Sequence, residues 1–191
     1  MKNILLISSS PRGEDSYSTK VARLLADLVR VNSPAAEITV RDLAADPLPT
    51  IDEDCAAGWT LWPHQRTVAQ QAAVDLSDAL ARELFAADVI VIASAMFNTG
   101  PTSTLKTWFD YVVRSGVRFS DSENGQQEFL GGKKAYLIQA RGGTHSSGLA
   151  PHKLQETHAR RLLAGIGLTD VHTIEIDDVA HGKELSSKAV A

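Results

Sequence analysis

Apolar residues in this chain fall in short continuous runs that alternate with longer stretches of helical period. Ile4-Leu5-Leu6-Ile7 and Asp88-Val89-Ile90-Val91-Ile92-Ala93 are apolar on consecutive residues. That pattern marks strands whose two faces are both covered by helices. Ala135-Tyr136-Leu137-Ile138 predicts a third such strand. Glu37-Ile38-Thr39-Val40-Arg41 and Val171-His172-Thr173-Ile174-Glu175-Ile176 alternate instead, as strands nearer a sheet edge do. Between them, Val21, Leu24, Leu25 and Leu28 repeat at i, i+3, i+4 and i+7, which predicts a helix with one apolar stripe on the sheet. Leu76, Leu80 and Leu84 carry a second helix that begins after Pro63. Leu105, Trp108, Phe109 and Val112 carry a third, preceded by Pro101 and by hydroxyl residues suited to an N-cap. A fourth runs from near Lys153 to Ile166 and ends at Gly167, where a left-handed residue can close it. Strand and helix in alternation predict one right-handed, doubly wound α/β domain of five parallel strands over residues 1–191.

One stretch breaks the alternation. In residues 43–66, Asp46-Pro47-Leu48-Pro49 interrupts regular structure, and Trp59 and Trp62 lie in a context of small residues. A connection of this length is functional more often than idle, and both tryptophans are expected to pack over something.

Composition narrows the function classes. With 19 basic against 23 acidic side chains the net charge is -4, which offers no basic footprint for a nucleic-acid backbone. The single cysteine, Cys55, excludes a disulfide-stapled scaffold, and nothing basic flanks it to make it a nucleophile. No apolar run approaches a membrane span, and the amino terminus lacks a signal-peptide core, so a soluble cytoplasmic protein is expected. Six scattered histidines with no H-E-x-x-H argue against a metalloenzyme, and the lack of G-x-S-x-G argues against a serine hydrolase.

In an open parallel sheet, ligands bind beyond the carboxyl ends of the strands where strand order reverses. Three loops there are unusual. After the first strand, Ser8-Ser9-Ser10-Pro11-Arg12-Gly13-Glu14-Asp15-Ser16-Tyr17-Ser18-Thr19 brings hydroxyls to a helix amino terminus, an arrangement that suits a phosphate. Neither G-x-G-x-x-G nor G-x-x-x-x-G-K-[ST] is present, which excludes the dinucleotide fingerprint and the P-loop. After the third strand, Ser94-Ala95-Met96-Phe97-Asn98-Thr99-Gly100-Pro101 can line a flat ring, although Phe97 could instead return to the core. After the fourth, Gln139-Ala140-Arg141-Gly142-Gly143-Thr144-His145 lets the backbone approach a ligand closely. Arg141 could equally be an ion-pair partner, and His145 a solvated loop histidine.

Taken in order, Ser10 with Ser16-Tyr17-Ser18, Met96-Phe97-Asn98-Thr99 and Ala140-Arg141-Gly142-Gly143 resemble the motifs of the FMN-dependent NADH-azoreductases, flavodoxin-like quinone reductases. The likeness extends through Ile38 to Ala44, Asp88 to Ala93, Glu123-Asn124-Gly125 and Gly131 to Ala135, nearly the whole chain. The resemblance implies a flavodoxin-like fold, a bound FMN, NADH as electron donor, and quinones or reductively cleaved azo compounds as acceptors in a two-step mechanism. It implies that Ser10, Ser16, Tyr17 and Ser18 take the phosphate and ribityl chain. Met96, Phe97, Asn98 and Thr99 would lie along the ring, and Ala140, Arg141, Gly142 and Gly143 along its other edge. Asn98 and His145 are the polar candidates on the substrate side. A homodimer is implied too, for which Trp59, Trp62, Trp108 and Phe119 offer aromatic surface. The chain departs from the family at Phe97-Asn98-Thr99, where Tyr-Asn-Phe is common, at Ala140 in place of Ser, and at Ser120-Asp121, where an aromatic is expected. The rival reading is a flavodoxin-type electron carrier, but its first loop is shorter and its surface more acidic. A receiver domain would need acidic residues where this chain has Ser8, Ser9 and Ser10.

Overall fold

Three central strands carry apolar residues on consecutive positions because helices close over both of their faces. In the computed structural model, which describes residues 2–114, 130–142 and 151–176, these strands are β1 (Asn3–Ser8), β3 (Val89–Phe97) and β5 (Lys134–Ala140). The edges are β2 (Glu37–Asp42) and β6 (Asp170–Ile176), the two segments whose sequence alternates. All five pair in parallel in the order β2-β1-β3-β5-β6, and a two-residue strand, β4 (Gly100–Pro101), adds to β3 in antiparallel fashion.

The helices divide between the faces. Helix α1 (Tyr17–Val31) covers Ile4, Leu6, Val89, Val91, Ala93, Ile138 and Ala140. On the other face Leu5, Ile7, Ile90, Ile92, Ala135 and Leu137 meet α3 (Val68–Ala86), α4 (Ser103–Val112) and α5 (Pro151–Gly165). Leu80 and Leu84 of α3 are buried there, as are Leu105, Trp108, Phe109 and Val112 of α4. The caps follow the sequence chemistry. Thr67 and Gln70 form a reciprocal capping box at α3, and Thr102 Oγ1 accepts from Leu105 N at α4. At the end of α5, Gly167 has φ +84°, with Leu168 N–H donating to Leu163 O and Gly167 N–H to Ala164 O. That is the two-bond glycine cap.

The stripe expected on α1 is rotated. Leu24 and Leu28 face solvent, and the helix buries Ser18, Thr19, Val21, Ala22 and Ala26, with Leu25 partly covered. Small residues at the contact let α1 lie close to the sheet, so the large aliphatics point outward.

The irregular stretch is also more ordered than its composition predicts. Asp52 accepts a hydrogen bond from Cys55 N at 2.9 Å and starts a short helix, α2 (Glu53–Gly58). This bond holds the Asp52 carboxyl below the usual carboxylate range. Helix α2 lies so close to α3 that a Cβ on Gly58 would sit 2.7 Å from the Gln70 carbonyl oxygen. Trp59 packs edge-on against Tyr111 with centroids 5.9 Å apart, whereas Trp62 is 71% exposed. Trp108 is wholly buried and belongs to the core rather than to an aromatic surface, and Phe119 lies outside the described residues. Cys55 is buried with its Sγ 3.4 Å from the Tyr111 hydroxyl, and burial first, then this contact, pushes the tyrosine pKa up. No helix among the described residues is long and apolar enough to cross a membrane.

Candidate functional site

Strand order reverses between β1 and β3, because the chain leaves β1 for β2 on one side and returns to β3 on the other. The loops after β1, β3 and β5 therefore emerge side by side at the carboxyl edge, where the topology opens a crevice. A cleft of about 210 Å³ lies there, lined by Ser10, Arg12, Ser16, Tyr17, Ala95, Met96, Phe97, Ala140 and Gly142.

Its β1 side has the groups to seat an anion. Ser10, Ser16 and Ser18 are all buried, and Ser16 Oγ lies 3.0 Å from Ser18 Oγ. Ser16 occupies the N-cap of α1, yet its side chain caps no backbone amide. The first-turn amides of an α-helix have no carbonyl of their own to bond. Here the partner that a capping side chain would supply is left to an incoming acceptor, and the positive end of the helix dipole favours an anion. Arg12 adds charge at the same place, and its own amide donates to Ser10 Oγ at 3.3 Å. The acidic neighbours are neutralised locally: Glu14 pairs with Arg23, and Asp15 with Lys20 at 3.9 Å.

The opposite wall is apolar. Met96 and Phe97 pair with Pro101 and Gly100 across a two-residue turn in which Asn98 and Thr99 both have positive φ, +47° and +68°. Two consecutive left-handed residues make a type I′ hairpin, which asparagine tolerates and a β-branched threonine does not favour. The turn leaves Phe97 48% exposed at the mouth, so this ring does not return to the core. Phe97 and Asn98 also line a second, larger groove of about 790 Å³ walled by Pro11, Ala44, Pro47, Pro101 and His158. Two of its polar side chains are already engaged, Lys106 by both oxygens of Asp110 and Ser9 Oγ by Ala93 O. Ser10 and Ser16, at the amino terminus of α1, line the smaller cleft.

The structure brings together Ser10, Ser16, Tyr17, Met96, Phe97, Ala140 and Gly142 of the expected residues. Ser18 lies behind Ser16, and Asn98 and Thr99 form the turn itself. Arg141 is not among the residues that line the cleft. Its guanidinium turns away from the cleft to Glu175 on β6 at 3.1 Å, the ion-pair alternative, and its amide is taken by Ile176 O. Gly143 and His145 fall outside the described residues. Two lining residues escaped the sequence reading, Arg12 and Ala95; a lone cation inside a serine-rich loop was the available signal for the first. Among the described residues no group of three metal-ligating side chains is close enough to hold an ion.

Buried hydroxyls and uncapped amides on one side and an apolar ledge on the other fit a molecule with a phosphate on a polar chain and a flat ring. FMN is such a molecule.

The family model described as "Flavodoxin-like fold" matches residues 2–191. The chain is 40% identical over 190 residues to FMN-dependent NADH:quinone oxidoreductase 2 of Pseudomonas fluorescens strain Pf0-1, covering all of this chain and 94% of the relative. It is 42% identical over 192 residues to FMN-dependent NADH:quinone oxidoreductase 1 of Burkholderia lata, covering all of this chain and 93% of that protein. Among solved structures, an FMN-dependent NADH-azoreductase from Bacillus anthracis in complex with FMN superposes with a TM-score of 0.79 at 21% identity, over 100% of this chain and 92% of that one. At that identity the superposition speaks for the fold alone. The chain belongs to the flavodoxin-like family, among the FMN-dependent NADH:quinone oxidoreductases.

Proposed function

We propose that this protein is an FMN-dependent oxidoreductase that takes electrons from NADH and passes them to quinones and, with reductive cleavage, to azo compounds. The observation that carries this reading is the uncapped amino terminus of α1, with its buried Ser10, Ser16 and Ser18, facing the Met96–Phe97 ledge across the switch point. Ser10, Ser16, Ser18 and the first-turn amides of α1 hold the phosphate, with Arg12 balancing its charge. Met96 and Phe97 give the ring an apolar support that excludes water on that side. Ala140 and Gly142 place small, close-approaching backbone at its other edge. FMN, when bound, would supply the chemistry of accepting a hydride and returning electrons.

Among the described residues lining the cleft there is no carboxylate, histidine or thiol. The part of these residues is to orient and to shield. Asn98 and His145 remain the substrate-side candidates, Asn98 because it stands at the mouth beside Phe97. The working form is a homodimer in the cytoplasm.

Purified protein reconstituted with FMN should show a bound-flavin spectrum and oxidise NADH when a benzoquinone is added, with no reductase partner present. Absence of a flavin spectrum after FMN addition would sink the reading, and NADH oxidation that requires a separate reductase would favour the electron carrier. Light scattering at micromolar concentration should give twice the chain mass of 20.5 kDa; a monomeric mass would contradict the dimer.

A further inference from the structure

Helix α5 is built backwards at one turn. Its buried stripe runs through Ala159, Leu163 and Ile166, and the same stripe continued toward the amino terminus falls on Gln155. Gln155 is 1% exposed, while its neighbour Leu154 is 59% exposed. An amphipathic helix stabilised by packing alone would place the leucine inward and the amide outward. The buried amide is moreover only half satisfied. Its Nε2 donates to Ser94 Oγ at 2.7 Å and to Ala95 O at 3.4 Å, but its Oε1 has no partner among the described residues. Gln139, opposite Ser94 in the β3–β5 register, is likewise buried, with neither amide atom bonded among the described residues. Buried unsatisfied amides are destabilising, so core packing does not account for this cluster.

Its location does. Ser94 and Gln139 each stand one residue before a residue that lines the cleft, Ala95 on β3 and Ala140 on β5. Ala95 is the last residue before the Met96–Phe97 ledge and its left-handed turn. We propose that Gln155 is a positioning residue for the cofactor cleft: by holding Ser94 Oγ and Ala95 O from α5, it sets the point at which β3 leaves the sheet and hence the height of the ledge. The proposal rests on the reading that the cleft holds FMN. Gln155 touches no reacting atom; it acts through Ala95. A ledge displaced by a fraction of an ångström weakens ring contact without unfolding anything.

The test compares wild type with Gln155→Met, which keeps the volume and removes the donor, and with Ser94→Ala, which spares the bond to Ala95 O. FMN affinity is read by fluorescence titration of the apoprotein, thermal stability by melting of the same apoprotein, and local order by amide hydrogen exchange over residues 95–100. Gln155→Met should bind FMN about tenfold more weakly and exchange about fivefold faster in that segment, while its melting temperature stays within about 3 °C of wild type or rises. Ser94→Ala should keep affinity within about threefold. Unchanged affinity together with unchanged exchange overturns the proposal. So does a loss of affinity that comes with a large fall in melting temperature, since a merely structural role predicts that combination. If wild type binds no FMN, the functional reading fails, and the exchange comparison still decides what Gln155 does to the β3 end.

Discussion

The Arg141 guanidinium sits 3.1 Å from the Glu175 carboxylate, which fastens the loop after β5 to the edge strand β6 and turns the arginine's charge away from the cleft. Arg141 is almost fully buried, whereas Glu175 is exposed. Together with the bond from Arg141 N–H to Ile176 O, the pair fixes where Gly142 can present its backbone. Glu175→Gln keeps the shape but removes the charge that steadies the arginine. We expect it to cost about 1–2 kcal/mol of stability and to weaken FMN binding several-fold. Chemical denaturation and fluorescence titration of the apoprotein measure the two effects. Full retention of FMN affinity would mean that the loop holds its place without β6.

The seat at α1 makes a prediction that separates the phosphate from the rest of the cofactor. Ser16 and Ser18 share a hydrogen bond at 3.0 Å and stand at uncapped helix amides. Ser18→Ala removes the buried hydroxyl that holds Ser16 Oγ in place and should weaken FMN by about tenfold. Binding of riboflavin, which lacks the phosphate, should not change. Isothermal titration with both flavins checks this, and equal losses for the two would move the phosphate elsewhere.

The strands and the placement of the loops after β1 and β3 at one sheet edge were legible in the sequence because their physics is local. Consecutive apolar residues in β1 and β3 report two-sided burial, and a serine cluster running into a helix reports free amides. The orientation of α1 was not legible. Its largest aliphatics, Leu24 and Leu28, suggested the buried face, but the helix lies on Ala22 and Ala26 and turns Ser18 and Thr19 inward. Periodicity weights size, whereas close approach selects smallness. Gln155 was missed for the same reason, since an amide on an apolar stripe reads as polar surface until the neighbouring strand ends are placed. The strand order, and the hairpin at Asn98 and Thr99, depend on tertiary contacts that no periodicity encodes. Trp62 shows the opposite error, a residue expected to pack that the fold leaves exposed.

Glu156 gives the fold a testable pH dependence. It sits on α5 against β6, where Arg160 Nε donates at 2.7 Å and Thr173 Oγ1 at 2.7 Å. Partial burial pushes its carboxyl up, but the two hydrogen bonds, with the charges of Arg160 and Arg141, outweigh burial and hold it below the usual value of 4.5. A carboxyl depressed in the folded state stabilises the fold above its unfolded pKa and loses that contribution as pH falls through the folded one. The stability gap between wild type and Glu156→Gln should therefore be full at neutral pH and shrink below pH 4.5. Denaturation of both proteins across that range measures it, and a gap that stays constant into the acid would mean the charge on Glu156 contributes nothing.

Thr99 carries backbone strain that the ledge requires. With φ +68° it is a β-branched residue in the left-handed region, directly after Asn98 at +47°. Such a conformation costs a non-glycine residue about 1–2 kcal/mol, and glycine largely avoids the cost. Thr99→Gly fills the second position of a type I′ turn with the residue that turn prefers. The apoprotein should gain about 0.5–1 kcal/mol in denaturant titrations, less than the full strain because glycine loses more chain entropy on folding. The hairpin keeps its shape, so FMN affinity should stay within about twofold of wild type. A variant less stable than wild type would show that the threonine side chain supplies contacts worth more than the strain it imposes.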